Sequence, residues 1–374
     1  MKVLFRGFNG KNHSWSIVSQ NIARAFKSLG NDVDIFSTNG LEHFPEDLKP
    51  NLKGYVDEGT VIKPEHYSNL LNSYDINISY TAPKNFPMYL DRGKFNFGIW
   101  TPEFFGKNSL PNGFCKNYKY TTKILAPSNF TKDIFIENGI PKDHIEVVPH
   151  GYNQSFIEKK DTIKIKTDRK FKFLVNYGQL HKRKNISGVL DSWGKAFTDK
   201  DDVVLVAKLN IKNPQHQFEI SWTNALNAFR SKYKNHAPIV VISDYLDDIS
   251  DLYRSCNSLI SFGNEGFNMP VLEAVVSRKI PVCLDKGPHL DFTNNENAVY
   301  VKCSEVRAPT DYQYWEPCVY AKMYQADTND GAEKLRYVFN NEVHLLSKFK
   351  NKQDTIIENY SWLKVSEQIL GLCK

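Results

Sequence analysis

The 374-residue chain has no run of about 18 apolar residues, so no segment is predicted to cross a membrane as a helix. Its first apolar stretch is interrupted by charge at Arg6, too early for a secretory signal peptide. Its 6 cysteines lack CxxC spacing, and a core of this size needs no disulfides. These absences predict a cytoplasmic protein with free thiols.

Motifs for several kinds of catalytic site are also missing. The 10 histidines show neither HxH nor HxxxH spacing, which argues against a zinc site. Asp32-Val-Asp34 has the form of a metal-binding DxD motif, but it begins a predicted strand, so we predict no metal ligands. The chain also lacks a GxSxG elbow and a GxxxxGK[ST] loop, which excludes the usual serine-hydrolase and P-loop signatures.

Excess charge of one sign is scarce, because 48 Lys and Arg residues face 42 Asp and Glu residues. The exception is the stretch 92–132, in which Glu103 is the only acidic residue among several Lys and Arg residues and many aromatics. One interpretation is a solvated face beside buried strands. The other is a docking surface for an anionic or polymeric acceptor, carried by cations such as Lys116, Lys119 and Lys123.

A strand–glycine–helix pattern occurs twice along the chain. The strand Lys2–Phe8 is followed by a glycine-containing loop, a helix at Trp15–Leu29 and a strand at Asp32–Phe36. A second series starts with the strand Phe171–Tyr177 and Gly178. Further strands are predicted at 76–80, 95–100, 124–126, 145–148, 203–207, 239–242, 259–262 and 280–284. Such repeated βα units predict an α/β fold with parallel sheets.

The two series predict two Rossmann-like, doubly wound domains, residues 1–155 and 156–345. The charged stretch Glu158–Lys172 has no apolar period, so we interpret it as the linker between them. Ligands of such sheets bind at the carboxyl ends of the strands. With two domains of this kind, the predicted binding site is the interdomain cleft.

The most informative segment is the loop from Gly263 to Ala274, which follows a predicted buried strand. Glu265 and Glu273 flank it and can grip one ligand from two sides. Pro270 stands where a helix should begin, and the helix N-terminus favours an anion such as a diphosphate. Backbone amides that could contribute come from Gly266, Phe267, Asn268 and Met269.

A second segment, 176–185, places a strand, the turn residue Gly178 and a group of cations at the start of another helix. Lys182, Arg183 and Lys184 are adjacent there. On charge alone the group is either a phosphate cradle or solvated charge flanking a helix.

The loop Gly263–Ala274 resembles the E-G-F-G-x-P-x-x-E-A signature of retaining GT-B glycosyltransferases of the group 1 (GT4-like) family. This resemblance implies that Glu265 contacts donor-sugar hydroxyls, that Glu273 binds the ribose and that the intervening amides lie near the diphosphate. Asn268 departs from the signature, which has glycine there. The cation segment resembles the family's "G-R-L…(R)K-G/N" element, which implies that Arg183 and Lys184 stabilise the leaving diphosphate.

Looser likenesses extend along the chain. Gly10 matches the general idea of a first-domain loop that meets the donor phosphate. Tyr360-Ser361-Trp362 is similar to the family's terminal "f-s-W" element, which implies that residues 346–374 form a helix crossing back to the N-terminal domain. The family implies an acceptor role for residues 1–155 and a donor role for 156–345. Where many members carry a histidine, this chain has Glu103, which is either an acceptor-side contact or a loop carboxylate.

The resemblance implies a metal-independent, retaining transfer of a hexosyl group from a nucleotide-diphosphate sugar, with no other cofactor. The expected acceptor is a glycan or glycolipid, and peripheral association with the inner membrane face stays open. Three alternatives remain: the same chemistry on hydroxylated bases of phage DNA, a GT-B epimerase or phosphorylase, and an inactive sugar-nucleotide or glycan-binding module.

Overall fold

The computed structural model describes residues 1–7, 14–37, 46–48, 73–90, 93–158, 161–178, 182–209, 217–309 and 320–374. The described chain forms two compact units. The first contains Met1–Asn153 and Tyr360–Lys374, and the second contains the described residues of 154–309 together with Lys322–Asn359.

The strands lie close to the positions predicted from the sequence. They are β1 (Lys2–Gly7), β2 (Asp32–Ser37), β3 (Ile76–Tyr80), β4 (Phe95–Ile99), β5 (Lys123–Ala126), β6 (Ile145–Val147), β7 (Phe171–Tyr177), β8 (Val203–Leu209), β9 (Ile239–Ile242), β10 (Ser258–Ser261), β11 (Ile280–Leu284), β12 (Val299–Val301), β13 (Cys303–Arg307) and β14 (Lys322–Ala326). The last three were not predicted, because they are short and carry little apolar periodicity.

The described helices alternate with the strands from β3 to β11, and the last three helices follow one another after β14. The helices are α1 (Ser14–Ser28), α2 (Phe86–Tyr89), α3 (Asn112–Lys116), α4 (Asn129–Glu137), α5 (Ser155–Glu158), α6 (Ile186–Ala196), α7 (Gln217–Lys232), α8 (Ser250–Arg254), α9 (Met269–Val276), α10 (Thr328–Asn340), α11 (Glu342–Asn359) and α12 (Trp362–Gly371). Gly30, with φ of 77°, follows the end of α1 as the sequence predicts.

The first unit is built on a parallel sheet with strand order β2-β1-β3-β4-β5-β6. Helix α12 returns to this unit and packs against α1. Gly151 makes this packing possible, because a Cβ there would lie 2.7 Å from the Trp362 backbone nitrogen and from its ring. The chain therefore re-enters the first unit at Tyr360.

The second unit has a parallel sheet with order β12-β11-β10-β7-β8-β9, and β13 and β14 form a separate antiparallel ribbon. Strand order reverses between β7 and β10, which creates a crevice beyond their carboxyl ends. The described part of the predicted linker belongs to this unit. The Arg254 side chain holds the Asp161 carbonyl at 2.7 Å, and the Ile163 amide donates to the Ser255 hydroxyl at 2.8 Å.

Candidate active site

The two segments singled out in the sequence meet at the crevice between β7 and β10. One runs from Gly178, which is exposed just after β7, to Lys184, and residues 179–181 lie outside the described residues. The other runs from Gly263, just beyond β10, into α9. Their meeting follows from topology, because these strands are parallel neighbours whose carboxyl ends share one sheet edge.

At this edge Glu265 forms a buried charge cluster with two cations. Its Oε2 accepts a hydrogen bond from Arg183 Nη1 at 3.0 Å, and its Oε1 accepts one from Lys184 Nζ. The side chains of Arg183, Lys184 and Glu265 are only 9%, 12% and 15% exposed. The cations therefore line the crevice rather than forming a solvated helix flank.

Electrostatics keep Glu265 ionised. Burial by itself raises the pKa of this carboxyl, but the charges of Arg183 and Lys184 and their hydrogen bonds outweigh burial, so the pKa lies below its usual value. The cluster contains two positive charges and one negative charge. Its net positive charge suits a ligand that brings further negative charge to the crevice.

The two loops approach each other closely at Gly263. A Cβ at this position would lie 3.2 Å from Glu265 Oε1, which is tighter than ordinary packing, and 3.4 Å from Lys184 Cα, which is van der Waals contact. A glycine here lets the backbone come against the lysine, so that Glu265 reaches both cations.

The backbone conformation of Asn268 explains how this chain can have asparagine where the signature has glycine. Its backbone has φ of 70° and ψ of 57°, the left-handed conformation that glycine adopts most easily and that asparagine tolerates better than most residues. Its side chain accepts a hydrogen bond from Ser261 Oγ at 3.0 Å and lies 3.4 Å from His289 Nδ1. The imidazole of His289 is itself 2.7 Å from the Leu284 carbonyl. Asparagine thus keeps a glycine-like turn and anchors it.

We expect Asn268→Ala to be less stable than Asn268→Gly by about 1 kcal/mol, because both variants lack the amide and only alanine is strained at positive φ. Urea unfolding of both variants measures this difference. The same pair at the exposed helical position Glu367 is the control, where glycine should be the less stable residue by about 1 kcal/mol. If alanine were the more stable residue at both positions, the turn at Asn268 would impose no strain on a side chain.

Glu273 lies in α9 and is buried with 7% exposure. Its Oε2 accepts a hydrogen bond from the Tyr253 hydroxyl at 2.7 Å, and the amide of Asn176 donates to the same hydroxyl at 3.2 Å. Burial raises the pKa of Glu273 to about 7, and the nearby charge of Asp248 adds to that shift, although the Tyr253 hydrogen bond opposes it. This carboxyl therefore changes its charge near neutral pH.

The remaining predicted donor residues of the second unit lie on the same loop. Gly266, Phe267 and Met269 are buried between Glu265 and Pro270, and the ring of Phe267 packs 5.2 Å from that of Phe292. Helix α9 begins at Met269, so Pro270 lies in its first turn as predicted. Gly10, the predicted donor contact in the other half, lies outside the described residues.

Sequence reasoning did not assign a role to Asn264, Tyr253 or His289, each of which holds a candidate site residue. Tyr253 lies shortly before β10 in the sequence, but its contact with Glu273 depends on the fold. His289 is buried, which lowers its pKa to about 4, so it is neutral when it contacts Asn268. No spacing rule links these residues to the motif.

Glu103 lies in the first unit, just beyond β4, and is half-buried. Its charge acts on the buried Tyr80, whose pKa is raised mainly by burial and further by Glu103. The Tyr80 hydroxyl lies 3.1 Å from Thr101 Oγ1. Glu103 thus stands among polar groups at the carboxyl edge of the first sheet.

The stretch 92–132 is only partly the surface that its composition suggested. Lys116 and Lys119 are exposed, whereas Lys123 is half-buried and donates to the Asp143 carbonyl. Trp100 and Phe114 are 4% and 7% exposed and pack in the core. These two aromatic side chains therefore belong to the core of the first unit rather than to an exposed acceptor surface.

Among the described residues, no group of three or more His, Cys, Asp or Glu side chains could hold a metal ion. Within the same ranges, no helix is both long and apolar enough to span a membrane. The five cysteines in the described ranges are free.

No family model matches the chain, and no curated protein matches its sequence. Solved structures do match its fold. A glycosyltransferase from Rickettsia africae ESF-5 superposes with a TM-score of 0.68 at 16% identity, covering 100% of this chain and 97% of the other. The second structure, Anabaena Alr3699/HepE in complex with UDP-glucose, gives 0.67 at 13% identity, covering 99% and 98%.

Sucrose-phosphate synthase from Thermosynechococcus elongatus gives a TM-score of 0.69 at 10% identity and covers 100% of this chain and 98% of the other. All three matches extend over both units. The chain has the GT-B fold. Its two six-stranded parallel sheets are the two Rossmann-like halves of that fold, as the sequence predicted.

Proposed function

We propose that this GT-B protein is a retaining glycosyltransferase that moves a hexosyl-type group from a nucleotide-diphosphate sugar to an acceptor. The observation that carries the proposal is the buried cluster of Arg183, Lys184 and Glu265 beside the N-terminus of α9. Two cations and a helix N-terminus at one sheet edge can hold a diphosphate. Two of the similar structures support the proposal, since one is a glycosyltransferase and the other is solved with UDP-glucose.

In the proposed mechanism, departure of the nucleoside diphosphate builds negative charge on its terminal phosphate. Arg183 and Lys184 stabilise that charge, so the step needs no metal ion. Glu265 accepts hydrogen bonds from donor-sugar hydroxyls, and Glu273 accepts hydrogen bonds from the ribose. The acceptor hydroxyl attacks the anomeric carbon from the face that the diphosphate leaves, and the departing phosphate accepts the hydroxyl proton, which gives retention without a protein nucleophile.

The first test is turnover of UDP-glucose, because a structurally similar protein is solved with this donor. GDP- and ADP-sugars complete the panel, and release of the nucleoside diphosphate is measured with and without acceptor glycans. Transfer with an unchanged anomeric configuration supports the proposal. An epimerised donor, or turnover that requires inorganic phosphate, identifies an epimerase or a phosphorylase instead. Binding of a donor without any turnover identifies an inactive binding module.

Affinity for UDP-glucose should rise about tenfold between pH 6 and pH 8, because the ionised Glu273 accepts hydrogen bonds from the ribose and its pKa is raised to about 7. UDP-glucose itself has no group that titrates in this range. Calorimetry at several pH values measures the profile, and Glu273→Gln is expected to flatten it. A wild-type profile that is also flat would contradict the assignment of Glu273 to the ribose.

The same pKa shift affects stability in the opposite direction. Between the usual value of 4.5 and about 7, folded Glu273 holds a proton that the unfolded chain has lost. This group therefore makes the unliganded protein less stable as pH rises through that range.

For the acceptor, we propose docking on a basic face of the first unit, defined by Lys84, Met88, Lys116 and Lys119. The Asn117 amide donates to the Pro83 carbonyl at 3.1 Å and joins the two segments that carry these side chains. The three lysines are exposed, and Met88 is 48% exposed. Neither 83–90 nor 112–123 contains an acidic residue. Cations beside an exposed apolar side chain suit an anionic membrane surface that presents a glycolipid.

Reversing Lys84, Lys116 and Lys119 to glutamate should weaken binding to vesicles rich in anionic lipid about 10²-fold or more, at about 1 kcal/mol for each lost cation. Acceptor KM should rise while donor KM stays unchanged. Lys164, Lys166 and Lys200, exposed on the second unit, form a matched control triple. Equal losses in both triple variants would show a general effect of charge.

Transfer of sugar to hydroxymethylated duplex DNA, with none to a lipid-linked glycan, would favour the phage-DNA alternative.

A further inference from the structure

Asn264 connects three parts of the second unit. It is 5% exposed and precedes Glu265 in the loop beyond β10. Its Oδ1 accepts a hydrogen bond from the Tyr324 backbone amide at 2.7 Å, and its Nδ2 donates to the Tyr324 carbonyl at 2.8 Å. The side chain thus pairs with the backbone of β14 as a neighbouring strand residue would. The β13–β14 ribbon is fastened to the loop of the charge cluster by this pair.

The backbone of Asn264 makes a reciprocal pair with Arg183. Its amide donates to the Arg183 carbonyl at 2.8 Å, and its carbonyl accepts from Arg183 Nη1 at 2.7 Å. The same Nη1 donates to Glu265 Oε2 at 3.0 Å. One guanidinium nitrogen therefore donates to two consecutive residues of the loop, and the side chain of the first of them is bonded to β14.

We infer that Asn264 is a positioning residue that sets the orientation of Arg183, with the backbone of Tyr324 as its support. For the role of Arg183 on a diphosphate, this inference rests on the proposed function. A flexible arginine would have to be ordered at the moment charge develops, whereas a clamped one is already aimed. The ribbon β13–β14, which lies outside the main sheet, is on this view part of the support of the donor site.

Asparagine suits this position because it offers one acceptor and two donor hydrogens on a short, planar side chain. Asn264→Asp keeps the shape and the bond from the Tyr324 amide. It places a second oxygen against the carbonyls of Tyr324 and Arg183, to which the amide now donates. Both Asn264→Asp and Asn264→Ala should therefore lose the paired hydrogen bonds between residue 264 and the backbone of Tyr324.

The decisive experiment measures the order of the Arg183 guanidinium by NMR relaxation of its Nε in the full-length protein, which needs no ligand. We expect an ordered side chain in the wild type and a mobile one in Asn264→Ala and Asn264→Asp. Asn257→Ala is the matched control, because that side chain also makes two bonds, to the Lys172 amide and to Glu342, at the opposite end of β10. Arg183 should stay ordered in the control. An ordered Arg183 in both Asn264 variants overturns the inference.

A second readout is a double-mutant cycle on UDP affinity and on donor hydrolysis. Asn264→Ala should lower both about tenfold or more in the wild-type background and less than about threefold in the Arg183→Ala background. Equal losses in the two backgrounds would assign Asn264 a merely structural role and overturn the inference. If UDP does not bind the wild type, the proposed function fails, and the NMR measurement still decides the clamp.

Discussion

Replacing Arg183 or Lys184 by alanine is expected to lower sugar-transfer turnover about 10²-fold or more in each case, as for loss of a group that stabilises transition-state charge. Both side chains are nearly buried and bonded to one carboxylate, so they are held in place before the donor arrives. Developing charge on the leaving diphosphate is therefore met by fixed cations. Single-turnover rates at saturating donor measure the effect on the chemical step.

The neighbouring Lys182 provides the control, because its side chain is exposed and it precedes the two cluster cations directly. Lys182→Ala should keep turnover within about threefold of the wild type, as expected for an exposed charge. Near-normal turnover in the Arg183→Ala, Lys184→Ala double variant would remove the phosphate cradle from the mechanism. Loss of turnover on treatment with EDTA, restored by added metal, would count against the metal-independent step.

Glu265→Gln is expected to lower turnover about 10³-fold and yet to bind UDP about tenfold more tightly than the wild type. Glutamine preserves the shape but leaves Arg183 and Lys184 without their buried counter-charge, and an incoming diphosphate can supply it. Removing one member of a buried ion pair costs about 3–5 kcal/mol. Binding of UDP should recover part of that loss, so UDP should raise the Tm of the variant more than that of the wild type.

Glu273→Gln is the comparison for this prediction, since it lies at the other end of the same loop and contacts neither cation in the described structure. It should weaken UDP itself, whereas Glu265→Gln should abolish the advantage of UDP-glucose over UDP. Calorimetry with both ligands separates the two roles. Equal weakening of UDP in both variants would contradict the division of labour between the two glutamates.

Most of the fold could be predicted from the sequence, because its strands are marked by local runs of apolar residues. β8 and β11 are nearly continuous apolar runs and are buried along their whole length, as expected for parallel strands covered on both faces. The ribbon β13–β14 was missed for the complementary reason, since Cys303–Arg307 alternates polar and apolar residues weakly and is exposed at several positions. A short ribbon is stabilised mainly by what it pairs with, which is distant in sequence.

The candidate site likewise has features that could be predicted from the sequence and features that only the fold reveals. Glu265 and Glu273 were singled out by their spacing around one loop, and Arg183 and Lys184 by their clustering after Gly178 together with the family resemblance. All of these signals lie within two short segments of the sequence. The pairing of Glu265 with Arg183 and Lys184 could not be predicted from local sequence, because about eighty residues separate Glu265 from the two cations. Composition likewise could not tell that Trp100 is buried, because its packing against Phe114 and Phe135 depends on the fold.

By itself, the sequence determined two βα series, the positions of their buried strands and the two loops that carry charged groups. Apolar periodicity, glycine and proline act over a few residues, so these features need no knowledge of distant contacts. Only the tertiary structure decided that Glu265 pairs with both Arg183 and Lys184, that the Asn264 side chain bonds to the backbone of Tyr324 and that burial raises the pKa of Glu273. Each of these depends on strand order and burial, which bring together side chains far apart in the chain and remove water from them.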